Sequence, residues 1–438
     1  MAATHGETQT THGTDLIGWT PMQFLVVALC TLINALDGMD VLIMSFVAPT
    51  MSTDWNLDTG TLGIIFSVGL AGMMAGCVLI APLADSFGRR PVILAALTML
   101  TLGTLGTGLV GSLGAFIAFR TMTGIGIGTL LASIAALVSE YAPAGKRSLA
   151  IGAFQAGYPL GAVFTGLFAI WAIPAFGWQT TLLFAGLASA LVLPVAFIWL
   201  PESINYLENR QPPNALNRIN ALRMRLSLPP RSELPAQRER GSLPKIGNLF
   251  AGGLWRSTLL LWVSSFASFA VLYFVTSWIP KLSIEAGLDA NKALWAGSIF
   301  NLGGLVGASS IGWLATRFDI GKLIRIYMMV GGALLVLFAA PMPLPAVLLI
   351  AALLGLTVQG GFSGYYSLAA QMYPPSVRSS GIGWAIGIGR GGSVIGPLAG
   401  GFLLATDVPL WAVFLCFAAP LVFAGVLASL VRHRGDLT

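Results

Sequence analysis

Four ionisable residues stand inside otherwise apolar stretches of the chain. They are Asp37 and Asp40 in Leu36-Asp37-Gly38-Met39-Asp40, Arg120, and Arg390 in Gly389-Arg390-Gly391. Burial disfavours the charged form of a carboxylate, which suits it to taking up and releasing a proton. Arginine keeps its charge and offers a planar fork matched to a carboxylate. Together these residue types could couple a proton on an aspartate to an organic anion on an arginine. The i, i+3 spacing puts both aspartates near one face of a helix. The alternative for Arg120 and the aspartates is a structural ion pair between two helices. Arg390 differs, because no acidic residue lies in any apolar segment of the second half of the chain. A ligand is therefore expected to supply its counter-ion.

A second group could shape a cavity around these charges. It comprises Trp262, Phe266, Tyr273, Trp278, Gln359, Tyr365, Tyr366, Asn301, Gln155 and Tyr158. Aromatic faces suit an aromatic ligand, and buried amides and hydroxyls need partners. Packing or a membrane-interface belt is the competing role for each.

The elements that must position these residues follow from composition. Apolar residues make up 56% of 438 and charged residues only 9%, against about 25% in soluble domains. So few charges cannot cover a 45.9 kDa protein in water. The same figures exclude disorder and coiled coil, leaving an all-α integral membrane fold. A spanning helix needs about 20 apolar residues. Twelve such runs occur, near 22–49, 61–84, 91–110, 113–138, 148–173, 179–200, 256–280, 292–316, 321–341, 344–371, 379–405 and 408–431. Glycine pairs Gly124/Gly128, Gly157/Gly161 and Gly303/Gly307 have the spacing that lets helix backbones approach closely. The expected organisation is a tail (1–21), a six-helix bundle (22–200), a solvated linker (201–255), a second bundle (256–431) and a final tail (432–438).

Orientation follows from basic residues, which concentrate in cytoplasmic loops. Of the 21 Lys and Arg outside apolar segments, 19 fall on the side that carries both termini and the linker; only Lys281 and Lys292 fall opposite. Both termini are thus expected in the cytoplasm, and the net charge of +6 needs no nucleic-acid partner. With this orientation, a rise of about 1.5 Å per residue puts Asp37 about 18 Å, and Arg120 about 10 Å, from the outer face. Arg390 lies about 16 Å from the inner face, and Asp40 nearer the outside than Asp37.

An internal repeat supports the division into halves. Leu83-Ala84-Asp85-Ser86-Phe87-Gly88-Arg89-Arg90 is echoed by Leu314-Ala315-Thr316-Arg317-Phe318-Asp319, and Tyr141, Pro143, Arg147 by Tyr373, Pro375, Arg378. Two related halves of this kind are a transporter plan, with the substrate site near midplane between them. Enzyme chemistry finds no support. His5, His12 and His433 lie in the tails, and Cys30, Cys77 and Cys416 lack metal or disulfide spacing. Gly387-Ile388-Gly389-Arg390-Gly391-Gly392 matches a dinucleotide fingerprint only formally, being inside a spanning segment. No phosphate-binding loop for ATP is present.

The twelve-segment plan resembles the major facilitator superfamily. Asp85, Gly88, Arg89 and Arg90 match its signature after the second helix, with Ala81 and Ser86 as departures. Arg120 with Gly124 and Gly128 resembles its fourth-helix pattern, Glu140, Pro143 and Arg147 its following loop, and Pro201-Glu202-Ser203 the end of its sixth helix. A narrower resemblance spans nearly the whole chain. Asp37-Gly38-Met39-Asp40 looks like the D-G-x-D motif of the aromatic acid:proton symporters. Tyr373-Pro374, Arg378, Gly381, Gly383-Trp384, Gly387, Gly389-Arg390 and Gly396-Pro397 look like that family's tenth-to-eleventh-helix stretch.

The resemblance implies uptake of benzoate-type acids with protons across a bacterial inner membrane, by alternating access. Asp37 and Asp40 would be the proton-coupling pair. Arg120 and Arg390 would bind substrate, with Gln359, Tyr273, Tyr365, Tyr366, Asn301, Trp262, Phe266 and Gln155 around it. Asp85, Gly88, Arg89, Arg90, Glu140 and Arg147 would serve conformational switching, with Asp85, Arg89 and Arg90 near the end of the eleventh helix. No cofactor is expected, the proton gradient supplying the energy; the partners are a small aromatic acid, protons and the bilayer, and the working unit is the monomer. Rival readings are a carrier of dicarboxylates or sugar acids, a proton-driven exporter, and a receptor that binds without flux.

Overall fold

In the computed structural model, residues 18–143, 146–235, 246–250, 253–285, 287–340, 342–374, 377–406 and 408–431 are described. The three histidines of the tails and Pro375 lie outside them.

Thr20 opens the first helix, its hydroxyl accepting from Gln23 N while the Gln23 side chain returns a bond to the Thr20 backbone. This reciprocal cap satisfies two orphan donors. Helix α1 then runs Pro21–Asp54, followed by α2 (Thr59–Phe87), α3 (Arg89–Leu109) and α4 (Leu113–Tyr141). Helical structure over Arg147–Trp199 is broken at Gly177, whose φ of 79° is left-handed, giving α5 (147–176) and α6 (178–199). The second half holds α7 (Trp255–Glu285), α8 (Ala290–Leu314), α9 (Ile320–Leu337), α10 (Leu344–Met372), α11 (Arg378–Leu404) and α12 (Leu410–Ser429). All twelve apolar segments are therefore helices.

Two bounds differ from expectation. Both α1 and α7 continue five residues past their expected ends, through Pro49 and Pro280. Proline is tolerated inside spanning helices because neighbouring groups re-satisfy the freed carbonyl. The extension puts Asp37 in the middle of α1, about 25 Å from either end at 1.5 Å per residue.

Large apolar side chains cover the outside: Phe24, Val78, Leu109, Phe164 and Leu191 are all more than half exposed. Such a surface demands lipid rather than water. The chain is a multi-pass membrane protein.

Residues 204–226 correct the expectation of a solvated linker. Short helices Ile204–Arg210 and Ala215–Arg225 bury Leu207, Ile219 and Leu226, and Leu226 joins the core of the first half. Further on, the Thr258 hydroxyl donates to Leu249 O and Phe250 packs edge-on against Trp262 of α7. The two ends of the linker thus belong to different halves.

The buried core shows how the halves meet. At the end of the molecule opposite the linker, one apolar cluster includes Val47, Met51, Leu62 and Phe66 together with Phe274, Trp278 and Ile279. At the linker end, Val26, Cys30, Leu97, Ile134 and Tyr141 form a separate cluster of the first half. Side-chain bonds agree. Ser45 Oγ donates to the carbonyls of Thr276 and Ser277 (2.9 and 3.0 Å), and Ser67 Oγ to Val394 O (2.8 Å). Toward the linker end, Gly383 and Gly387 of α11 and Gly152 of α5 face open space. The halves are closed at one end and splayed at the other.

Candidate functional site

Close helix approaches set the site. Gly38 of α1 lies against the Tyr158 carbonyl of α5, where a Cβ would overlap it; Gly157 and Gly161 return the contact onto Thr31 and Ala35. Asn34 adds a bond to Phe154 O (2.9 Å). This fixes the rotation of α1 and aims Asp37 inward. Gly124 and Gly128 of α4 similarly seat on the carbonyls of Gly69 and Met73 in α2, and Gly303 and Gly307 of α8 on those of Ala352 and Leu356 in α10. Gly392 and Gly396 of α11 lie on Phe266 and Ala270 of α7. The three glycine pairs expected to let helices approach all do so.

Asp40 and Arg120 form a buried ion pair across α1 and α4. Arg120 Nη1 donates to Asp40 Oδ1 at 2.8 Å, with side-chain exposures of 5% and 2%. Thr104 Oγ1 of α3 lies 3.4 Å from the same oxygen and also donates to Leu100 O. Removing one member of such a pair leaves an unpaired buried charge, which is why the pair holds its geometry. Arg120 therefore has an internal counter-ion.

Arg390 does not. It sits halfway along α11, half-buried, and among the described residues no carboxylate is within ion-pair distance of it. Its Nη1 instead lies against the Met73 sulfur of α2. Asp37 is buried on the facing helix with Oδ1 free of any hydrogen bond among the described residues. Asp37, Tyr158, Tyr273 and Tyr366 lie in the electrostatic surroundings of Arg390. The apex of the cleft thus brings together a guanidinium with no carboxylate partner among the described residues and a carboxylate with one unpartnered oxygen. Rings line it. Tyr273 and Phe269 of α7 lie parallel at 6.3 Å, Phe269 meets Phe362 of α10 edge-on at 4.6 Å, and Phe362 meets Tyr366 at 6.0 Å. Phe266 packs beside Gly391.

Other expected site residues have their own partners. Gln359 Nε2 donates to Asn301 Oδ1 (3.3 Å), and Asn301 Nδ2 to Gly297 O (2.9 Å), so this amide pair joins α8 to α10. Tyr365 is buried. Its hydroxyl accepts from Ser264 Oγ (2.6 Å) and donates to Ala424 O (3.3 Å), tying α7, α10 and α12. Its hydroxyl is thus already engaged. Trp262 stacks on Trp384 at 6.0 Å near the linker end, below Arg390 along α11. Gln155 is exposed on α5 toward the same end.

The loop between α2 and α3 carries the third group. Arg89 pairs with Glu140 and lies 3.9 Å from Asp85. Glu202 Oε1 accepts from the backbone N–H of Arg89, Arg90 and Ser203, at 2.8, 3.1 and 2.8 Å, capping α3 with a carboxylate where the helix dipole favours one. Gly88, with φ 103°, leaves room for that carboxylate; a Cβ would meet Glu202 Oε2. Arg90 reaches Phe197 O, Arg210 reaches Asp85 O and Ser86 Oγ, and Ser203 Oγ donates to Glu140 Oε2. Every one of these bonds stays within the first half and its linker. The Asp85 side chain is 78% exposed, in keeping with halves splayed at this end. Arg147 is exposed at the start of α5.

The Major Facilitator Superfamily model matches residues 27–350. The chain belongs to that superfamily. It is 32% identical over 423 residues to the 4-hydroxybenzoate transporter PcaK of Acinetobacter baylyi, covering 94% of this chain and 92% of the relative. It is 32% identical to the gallate transporter of Pseudomonas putida (95% and 93% covered), and 30% to the benzoate transport protein of Acinetobacter baylyi (95% and 91%). These relatives agree with the narrower resemblance read from Asp37-Gly38-Met39-Asp40. The fold matches a bacterial homologue of the human lysosomal transporter Spinster (TM-score 0.71, 17% identity, 94% and 97% covered) and a D-xylose-proton symporter (0.71, 17%, 92% and 97%). The chain is a transporter of this superfamily rather than an enzyme.

Sequence reasoning missed Met73, Phe269 and Phe362. The two phenylalanines stand four residues before Tyr273 and Tyr366, on the same helix faces. That spacing was the available signal. Met73 had none.

Proposed function

We propose that the chain is a secondary active symporter, taking up an aromatic carboxylate with protons by alternating access. Arg390 carries the reading: a half-buried arginine at mid-depth, among aromatic rings, with no carboxylate partner among the described residues. The substrate carboxylate pairs with it in a bidentate fork. The ring lies against Tyr273, Phe269, Phe362 and Tyr366. The names of the relatives favour a hydroxybenzoate-like acid.

Asp37 takes the proton. Unprotonated, it competes with the substrate for the Arg390 charge; protonated, it leaves that charge to the anion. The loaded site is then neutral, which removes the cost of reorienting a charge across a low-dielectric interior. The Asp40–Arg120 pair is the second coupling station, opened when Asp40 is protonated. The halves 22–200 and 256–431 rock about the site, and Arg89, Glu140 and Glu202 hold the cytoplasmic end of the first half rigid as it moves. Both termini and the linker face the cytoplasm, in a bacterial inner membrane, and the monomer is the working unit.

The test is uptake of radiolabelled 4-hydroxybenzoate into proteoliposomes under an inward proton gradient. Accumulation that collapses with an uncoupler is expected. Uptake that ignores the gradient would overturn proton coupling; no uptake of any benzoate would overturn the substrate class.

A further inference from the structure

Met73 accepts a hydrogen bond from Arg390 across the seam between the halves. It belongs to α2 and Arg390 to α11. A thioether is a weak acceptor, whereas a carboxylate forms a charge-assisted, two-pronged bond to a guanidinium. Nη1 carries two of the five guanidinium N–H groups, so a carboxylate that takes the pair of N–H groups including the one on the sulfur must displace Met73. Met73 also borders a cavity of about 20 Å³ lined by Asp40, Arg120, Met44 and Gly69, room for about one water-sized group. Methionine is unbranched and adapts readily to irregular spaces. The terminal methyl of a rotated Met73 therefore has space beside the Asp40–Arg120 pair.

We propose that Met73 is a placeholder on Arg390, displaced by the substrate carboxylate toward the Asp40–Arg120 cavity, and so a determinant of affinity that links the anion site to the seam between halves. The inference rests on the reading of Arg390 as the carboxylate site. Ligand affinity is reduced by the fraction of protein in which the site is already filled. Because the exchange frees a bond between α2 and α11, binding also loosens one contact between the halves.

The experiment measures Kd by titration calorimetry on the purified full-length chain, for 4-hydroxybenzoate and for its neutral amide. Met73→Leu keeps the volume and removes the sulfur. It is expected to tighten the acid by about three- to tenfold, the range of one modest hydrogen bond. Met73→Gln supplies a stronger acceptor and is expected to weaken the acid at least about threefold. The amide, which does not compete for the charge, should move with neither. Met329→Leu, on the exposed outer face of α9, should leave both unchanged. A packing role alone would weaken acid and amide together in both Met73 variants, and that result would overturn the proposal. So would Met73→Leu binding the acid as wild type does. A wild type that fails to distinguish acid from amide would instead refute the Arg390 reading beneath it.

Discussion

The Asp40–Arg120 pair offers the sharpest energetic prediction. At 2.8 Å, and with an effective dielectric of about 20, Coulomb attraction is about 6 kcal/mol. Desolvation of two ions, several kcal/mol each, offsets most of it. The pair itself is therefore worth little net, but breaking it is costly: leaving either partner alone costs about 3–5 kcal/mol. Asp40→Asn and Arg120→Gln should each lower the apparent unfolding temperature in detergent. The double variant, which buries no unpaired charge, should unfold above at least one single variant. Thermal scans at one fixed rate make the comparison, since membrane proteins unfold irreversibly. If the double variant is the least stable of the three and the shifts simply add, the pair carries no coupling energy and the reasoning fails.

Other outcomes follow from the same geometry. Asp37→Asn should abolish proton-driven accumulation while sparing exchange of labelled for unlabelled substrate at equal pH; normal accumulation would remove Asp37 from coupling. Glu202→Gln weakens the charged cap on three backbone N–H groups and should cost about 1 kcal/mol, read as a lower unfolding temperature; an unchanged temperature would mean the cap is idle. At the opposite end, Asp58 caps α2 through Thr61 N at 2.8 Å, and hydrogen bonding from Thr61 holds its carboxyl below the ordinary range. A lowered folded-state pKa contributes stability that is full above the unfolded value, near about 4, and is lost as pH falls through the folded value. Asp58→Asn should therefore flatten a small acid limb of the stability curve below about pH 4, and an unaltered limb would assign it to other groups.

Much of the fold was legible because the bilayer imposes a simple rule: twenty apolar residues make a spanning helix. The helix contacts at Gly157/Gly161 and Gly303/Gly307 were readable for a similar reason, since close backbone approach admits only small residues. Arg390 could be singled out because a charge in an apolar run must have a partner, and the second half offered none. What could not be read is who faces whom. Asp40, rather than Asp37, takes Arg120, because the rotation of α1 is set by Gly38 against Tyr158, a contact between residues 120 positions apart in sequence. Tyr365 and Tyr366 are neighbours in sequence and look alike. On a helix they point about 100° apart, so one is absorbed in a bond to Ser264 and Ala424 while the other meets Phe362 and feels Arg390. Met73 carried no sequence signal because methionine in an apolar run is ordinary.

The central claim is that Arg390 is the seat of the substrate carboxylate. Its most direct test compares binding of 4-hydroxybenzoate and 4-hydroxybenzamide to the wild type and to Arg390→Ala. The expected result is loss of about tenfold or more in acid affinity, on the scale of one charge-assisted hydrogen bond, with the amide little changed. Equal loss of both ligands would make Arg390 a structural residue and contradict the account.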